Sequence, residues 1–108
     1  MILPVDENYT NHAWHLYSIQ LKTDMLKINR NDFIEALKSE NIGTSVHFIP
    51  LHLHPYYKEN YGFKLGDFPV AESVYNNEIS LPIYPKMTDK DAKDVVSAVK
   101  KIINFYRK

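Results

Sequence analysis

The chain has 108 residues, a length that suits one domain, and its 13 basic and 13 acidic side chains cancel. The balanced charge argues against a surface for nucleic acid or an anionic membrane, and the lack of cysteine excludes disulfide frameworks and thiolate zinc sites. No stretch approaches the ~18 apolar residues of a membrane span, and the first residues lack the basic and apolar regions of a signal peptide, so we expect a soluble, cytoplasmic protein.

The first part of the chain predicts a linker and then a strand. Residues 1–11 are polar and irregular, as in a linker or the end of a longer connection. Residues 14–22 predict the first strand, because Tyr17, Ile19 and Leu21 alternate with polar side chains.

A helix is predicted next, beginning at Asn29 or Asn31, whose short side chains can accept a hydrogen bond from a free first-turn N–H. Phe33 and Leu37 recur at helical spacing, and Gly43 suits the left-handed conformation that ends many helices. A charged residue beside a helix start, such as Arg30, is by default expected on the surface.

The segment 44–57 combines a strand-like pattern with two prolines, three histidines and two tyrosines. Residues 44–48 alternate as a strand does, and Pro50 and Pro55 lack the N–H that a sheet needs. We therefore predict that a second strand delivers His47 to a sheet edge. A stiff loop should follow, with residues 56–68 irregular, an arrangement on which binding sites are often built.

The second half predicts two helices around a short strand. One helix should begin at Phe68-Pro69, with four residues facing inward: Val70, Ala71, Val74 and Tyr75. A strand is predicted at 79–83. The last helix follows a capping box at Thr88 and carries an apolar stripe of seven residues: Ala92, Val95, Val96, Val99, Ile102, Ile103 and Tyr106.

This element order predicts an α/β fold of the two-layer α+β kind. We expect a small, mostly antiparallel sheet of about three to four strands, with the helices packed on one face.

The histidines leave three interpretations open. His47, His52 and His54 could bind Zn²⁺, although their spacing is not specific for a metal. They could instead be one packed and two solvated side chains, or they could hydrogen-bond an organic ligand. No serine lies in a nucleophile turn and no glycine cluster predicts a phosphate cradle, so the residues alone favour a binding module over a complete catalyst.

Several runs, in order along the chain, together resemble the C-terminal small domain of the DegT/DnrJ/EryC1/StrS family of aminotransferases. They are His12-Ala-Trp-His-Leu-Tyr17, Arg30-Asn-Asp-Phe-Ile-Glu-Ala-Leu37, Asn41-Ile-Gly-Thr-Ser-Val-His-Phe-Ile-Pro-Leu-His52, Pro55-Tyr-Tyr57, Gly66-Asp-Phe-Pro-Val-Ala-Glu72, Ile79-Ser-Leu-Pro-Ile-Tyr-Pro85 and Met87-Thr-Asp-Lys-Asp91.

The resemblance implies that residues 12–108 form the small domain of a fold-type I aminotransferase, after a linker at 1–11. The parent enzyme would be a homodimer that aminates a nucleotide-linked ketosugar for amino-sugar or polysaccharide biosynthesis, with glutamate as the usual amino donor. Its pyridoxal phosphate would be bound by a large domain. Lys58, Lys64 and Lys86 do not match the family's aldimine-forming lysine, so this part alone should hold no catalytic, cofactor-binding or metal-binding residue and should be inactive.

The resemblance also transfers roles to individual positions. His47 stands at the histidine of the family's V-H-Y-x-P motif, near the substrate, and Phe48 replaces the usual tyrosine, whose hydroxyl is lost here. His52 and Tyr56 match loop positions expected to contact substrate or an interface, and Arg30 matches an arginine expected to be structural. The alternative is a stand-alone α+β module that binds a small molecule or a protein without catalysis.

Overall fold

A computed structural model describes the whole chain, residues 1–108. Two strands and four helices follow one another in the order β1 (Tyr17–Gln20), α1 (Arg30–Ser39), α2 (Pro55–Tyr61), α3 (Pro69–Asn77), β2 (Glu78–Leu81) and α4 (Asp89–Tyr106). None of these helices combines the length and the apolar composition that crossing a membrane requires. The predicted α+β class is confirmed.

The sheet consists of β1 and β2, which pair antiparallel with Ile19 opposite Ile79. Each outer edge carries one isolated bridge, between Ile2 and Gln20 on one side and between Ser45 and Ser80 on the other. The antiparallel pairing is as predicted, but the sheet has two strands, so the expected count of three to four is not confirmed.

The predicted strand at 44–48 was wrong, and the neighbouring backbone explains why. Ser45 exchanges two backbone hydrogen bonds with Ser80, at 3.2 and 3.0 Å. The next pair would need the backbone of Glu78, but its N–H donates to Val74 O at the end of α3 and its carbonyl accepts from Arg30. The ladder therefore stops after one bridge, and the chain from 46 onward is free to leave the sheet.

The core lies between one face of the sheet, α1 and α4. Ile19 and Ile79 from the strands are fully buried, as are Phe33 and Leu37 from α1. Nine buried side chains form this cluster: Ile19, Leu21, Leu26, Phe33, Leu37, Ile79, Ala98, Val99 and Ile102. The opposite face of the sheet carries Ser18, Gln20, Glu78 and Ser80, which we call the polar sheet face.

Helix α4 has the predicted cap, and its apolar stripe is buried in part. The Thr88 hydroxyl accepts from the Asp91 N–H at 3.1 Å, and the Asp91 carboxylate accepts from the Thr88 N–H at 3.0 Å. The hydrogen bond from the Thr88 N–H lowers the pKa of the Asp91 carboxyl. Val95 and Val99 are buried, whereas Val96 is 50% exposed and lies on the solvent side of the stripe.

Helix α1 begins after Asn29, whose side chain accepts from the Asp32 N–H at 3.0 Å. Arg30 is buried, so its default interpretation as a surface charge was wrong. Its Nη1 donates to the carbonyls of Tyr75 at 3.0 Å and Glu78 at 3.3 Å, and its guanidinium lies over the Tyr75 ring. Arg30 thereby ties the start of α1 to the junction of α3 and β2.

Helix α2 falls in the stretch predicted to be irregular, so that prediction was wrong. Pro55 occupies its first turn, where a missing N–H costs nothing. Gly62 ends it with φ 67°, and its N–H donates to Lys58 O at 3.1 Å. A start and a stop only seven residues apart leave little room for helical periodicity to appear in the sequence.

Helix α3 has the predicted position, but its predicted inward face is correct only in part. Val70 is 76% exposed and Ala71 is exposed, while Val74 and Tyr75 are half-buried. The buried residue is Glu72. This helix packs its polar side chain inward because Glu72 has partners there, described below.

Candidate functional site

The candidate site is centred on His47, which lies over the polar sheet face. Its Nε2 is 2.7 Å from Ser80 Oγ and 3.9 Å from Glu78 Oε1. The Ser18 hydroxyl donates to the same Glu78 carboxylate. The structure thus brings the predicted His47 together with three polar residues, at 18, 78 and 80, that the sequence did not single out. One end of the ring is held by the sheet, and the side chain stays 35% exposed.

The combination of serine, histidine and glutamate does not make a hydrolytic triad. In such a triad the serine and the carboxylate bind opposite nitrogens of the imidazole. Here Ser80 and Glu78 both approach Nε2, and Ser80 is only 3% exposed, so its hydroxyl is inaccessible to a substrate carbonyl. The arrangement fixes the imidazole in place and leaves its other nitrogen available to a ligand.

An apolar strip runs along the segment that leaves the sheet edge. It consists of four exposed residues, Val46, Phe48, Ile49 and Leu51, of which Phe48 is 91% exposed. Phe48, a predicted substrate contact, therefore has almost its whole ring in solvent. An apolar ring left in water forgoes about 1.5–3 kcal/mol that burial would supply. The strip is a surface that another part of a protein or a ligand can cover.

His52 is placed inside the domain. It is 5% exposed, its Nε2 lies 3.4 Å from Glu72 Oε2, and its ring packs 4.8 Å from that of Phe68. The Gly66 N–H donates a bifurcated hydrogen bond to both oxygens of the Glu72 carboxylate, at 2.9 and 3.1 Å. His52 and Glu72 thus lie in contact between the turn after Pro50 and α3, although the buried Nε2 forms no hydrogen bond, and in this conformation the imidazole reaches no ligand at the surface.

Tyr56, the fourth predicted position, lies in the first turn of α2 and is 61% exposed. Its ring contacts Tyr57 at a centroid distance of 5.1 Å and Tyr61 at 6.5 Å. The aromatic contacts continue through Phe63 to Phe68 and so reach His52. Tyr56 is therefore an exposed ring on a short helix that contributes no buried residue to the core.

The three histidines of the segment 44–57 do not converge. His47 Nε2 faces Ser80, His52 Nε2 faces Glu72, and His54 Nε2 lies 3.1 Å from the carbonyl of Ile49. No three histidine, aspartate or glutamate side chains are grouped closely enough to hold a metal ion. The geometry does not favour the zinc interpretation.

The shape of the chain is expanded for its length. Its radius of gyration is 16.0 Å, whereas a compact domain of 100 residues has about 13 Å. Only 14 of the 108 residues are buried, and the segments 1–16 and 44–68 contribute one of them, His52. The chain therefore exposes many large apolar side chains for the size of its core.

Comparison with known proteins identifies the family. The sequence model of the DegT/DnrJ/EryC1/StrS aminotransferase family matches residues 1–100. The chain is 64% identical over 99% of its length to the uncharacterised protein MJ1066 of Methanocaldococcus jannaschii, of which it covers 28%. It is 48% identical over 95% of its length to the spore coat polysaccharide biosynthesis protein SpsC of Bacillus subtilis, of which it covers 27%.

A third relative is the UDP-4-amino-4-deoxy-L-arabinose–oxoglutarate aminotransferase of Shewanella sediminis. It is 37% identical over 85% of this chain, and the chain covers 25% of it. The chain therefore spans about a quarter of the length of these relatives.

A solved structure also matches this chain over about a quarter of its own length. The pyridoxal phosphate (PLP) form of Spr1654 from Streptococcus pneumoniae superposes on this chain with a TM-score of 0.80 at 28% identity. The match covers 96% of this chain and 26% of that one. The chain belongs to the DegT/DnrJ/EryC1/StrS aminotransferase family.

Proposed function

We propose that this chain is the C-terminal small domain of a PLP-dependent sugar aminotransferase and supplies one wall of its substrate pocket. In this proposal residues 12–108 form the domain and residues 1–11 lead into it from a large domain that binds the cofactor. The observation that carries the proposal is the family match over residues 1–100 in a chain that spans about a quarter of its relatives. The parent would be a homodimer located in the cytoplasm.

The residues present here do not fit pyridoxal phosphate. This cofactor forms a Schiff base with a lysine, which must lie in a shielded site, and its phosphate needs close backbone donors. Every lysine of this chain is exposed. The backbone N–H groups of Gly62 and Gly66 are already used within the chain, by Lys58 O and by the Glu72 carboxylate, so neither is a free donor for a phosphate. We therefore assign cofactor binding and the chemical step to the large domain and derive no step here.

The proposed reaction transfers an amino group from glutamate to a nucleotide-linked ketosugar. One relative is named for UDP-4-amino-4-deoxy-L-arabinose and oxoglutarate, and another for polysaccharide biosynthesis. Oxoglutarate is the keto acid that glutamate becomes when it gives up its amino group, which supports glutamate as the donor. The product would enter amino-sugar or polysaccharide biosynthesis.

The surface of the chain supports a role as a pocket wall. The apolar strip is exposed next to His47, whose ring is anchored at one end only. Ligand pockets are mostly apolar with a few polar groups that fix orientation, and this surface has that composition. We assign to His47 a hydrogen bond to the sugar-nucleotide, and to Phe48 and Tyr56 apolar contacts. His52 would act indirectly, by holding the turn between them.

Replacing His47 with alanine tests the assignment. In the full-length enzyme, H47A should lower kcat/KM for the sugar substrate by about tenfold or more, because a lost hydrogen bond of roughly 1.5 kcal/mol appears in that ratio. The matched control is H12A, since His12 is exposed in the N-terminal segment and contacts Trp14 instead. An unchanged kcat/KM in H47A would remove His47 from the pocket.

A further inference from the structure

His47 owes its position to the polar sheet face, and that face determines which ring nitrogen is offered to a ligand. We propose that Glu78 and Ser80 are positioning residues that hold His47 as the Nε2–H tautomer, with Nδ1 exposed as a hydrogen-bond acceptor. The ligand group that Nδ1 takes is then a donor, which we assign to a hydroxyl of the sugar. The identity of this ligand rests on the proposed function, whereas the tautomer does not.

The contacts of Nε2 carry the argument. Ser80 Oγ lies 2.7 Å away and Glu78 Oε1 lies 3.9 Å away, both on the same nitrogen. Ser80 is 3% exposed, and the Glu78 side chain is 23% exposed. Water therefore screens this side of the ring less than it screens an exposed pair, and the carboxylate acts on Nε2 at close range.

A neutral imidazole has one protonated and one unprotonated nitrogen. If Nε2 were unprotonated, its lone pair would face a carboxylate, which is repulsive. If Nε2 carries the proton, the N–H donates to Ser80 Oγ and its positive end lies near Glu78. The hydroxyl of Ser80 accepts as readily as it donates, so Glu78 decides between the tautomers.

The hydroxyl of Ser18 keeps Glu78 in place. It donates to Glu78 Oε1, the same oxygen that faces His47. Glu78 and Ser80 both belong to β2, and Ser18 lies opposite Ser80 in β1, so both partners of His47 are fixed to the sheet. A site built on strands keeps its geometry better than one built on loops.

The other ring nitrogen of His47, Nδ1, indicates which chemical group the ligand presents. Nδ1 has no hydrogen-bond partner within the chain and is not among the buried unpartnered atoms, so it reaches solvent. As the unprotonated nitrogen of a neutral ring it accepts hydrogen bonds. A sugar hydroxyl can donate to it, whereas an ionised phosphate oxygen, which only accepts, cannot.

The first test observes the tautomer directly in the full-length protein. Histidines with isotopically labelled ring nitrogens are examined by NMR at a pH where the ring is neutral, and the His47 signals are assigned by their loss in H47Q. We expect a protonated Nε2 and an unprotonated Nδ1. In E78Q, which keeps the size of the side chain and removes its charge, the share of the Nδ1–H tautomer should rise at least several-fold.

The matched control is E40Q, which also removes one carboxylate but at a residue that pairs with Lys101, on another part of the surface. It should leave the His47 signals unchanged. A wild-type ring protonated on Nδ1, or a tautomer that E78Q leaves unaltered, would overturn the inference. Either result is compatible with an active aminotransferase, so it would leave the proposed function standing.

The second test uses kinetics to separate positioning from a merely structural role. S80A should lower kcat/KM for the sugar substrate in the wild-type background and have no further effect in H47A, because its contribution passes through His47. Equal effects of S80A in both backgrounds would contradict positioning.

H47N and H47Q test which ring nitrogen contacts the ligand. The amide oxygen of H47N can occupy the place of Nδ1, so H47N should retain more kcat/KM than H47Q. The reverse order would place the ligand contact at Nε2.

Discussion

Val99→Asp should abolish cooperative folding of this chain. Val99 is 3% exposed and belongs to the cluster that joins α4 to the sheet. The substitution forfeits the burial of a valine, worth about 1.5–3 kcal/mol, and places a carboxylate without a partner in the core at a further cost of several kcal/mol. A domain of this size has only about 5–15 kcal/mol of stability in total. Urea unfolding followed by circular dichroism should show no cooperative transition.

The same helix supplies the control. Val96 is 50% exposed, so V96D removes little burial and leaves its carboxylate in water. Its effect on the free energy of unfolding should remain within about 0.5 kcal/mol, as for most surface substitutions. Equal loss of stability in V99D and V96D would mean that α4 does not pack as described.

Arg30→Met should be the second most destabilising change. The variant keeps most of the aliphatic stem but removes the donors that serve the carbonyls of Tyr75 and Glu78. Hydrogen bonds to a charged group contribute about 1.5–3 kcal/mol each, and the carbonyls left without a partner add a desolvation cost. We expect a loss of roughly 3 kcal/mol in the free energy of urea unfolding.

Two comparisons make the Arg30 result specific. R107M changes an arginine that is exposed beyond the end of α4 and should leave stability nearly unaltered. R30K should recover only part of the loss, since lysine cannot present the planar fork of donors that arginine does. Full stability in R30M would show that the junction of α3 and β2 does not depend on this side chain.

The sequence predicted the elements that are marked by a long apolar pattern or by a capping residue next to their first turn. The apolar stripe of α4 extends over 18 residues, and its capping residues stand immediately before it. The cap of α1 at Asn29 is equally local. By contrast, α2 has only seven residues, too few for a periodic pattern, and the Pro55 and Gly62 at its two ends are equally typical of a loop.

Predictions that depend on distant partners failed for an identifiable reason. The alternation at 44–48 is that of a strand, yet the backbone of Glu78 that would extend the pairing is already bound by α3 and Arg30. Residues Val70 to Tyr75 appeared apolar enough to face a core, but Glu72 turned inward to meet His52 and Gly66. In both cases the deciding contact is made with residues outside the segment, so the segment's own sequence does not show it.

The candidate site was predictable in part. The resemblance identified His47, and the structure places it at the edge of the sheet, beside an exposed Phe48. Its partners Glu78 and Ser80 are more than thirty residues away in sequence, so no local motif connects them. Polar residues alternating with apolar ones along both strands were the available signal, because they mark a face of the sheet that is not packed against α1 and α4.

The central claim is that this chain forms one wall of a pocket whose cofactor is bound elsewhere, and cofactor binding tests it most directly. Pyridoxal phosphate is added separately to this chain and to the full-length protein, and the absorbance of the protein-bound Schiff base and the amination of the ketosugar are measured. The account predicts both signals for the full-length protein and neither for the chain alone. A chain of these 108 residues that became yellow with pyridoxal phosphate and aminated a ketosugar unaided would contradict it.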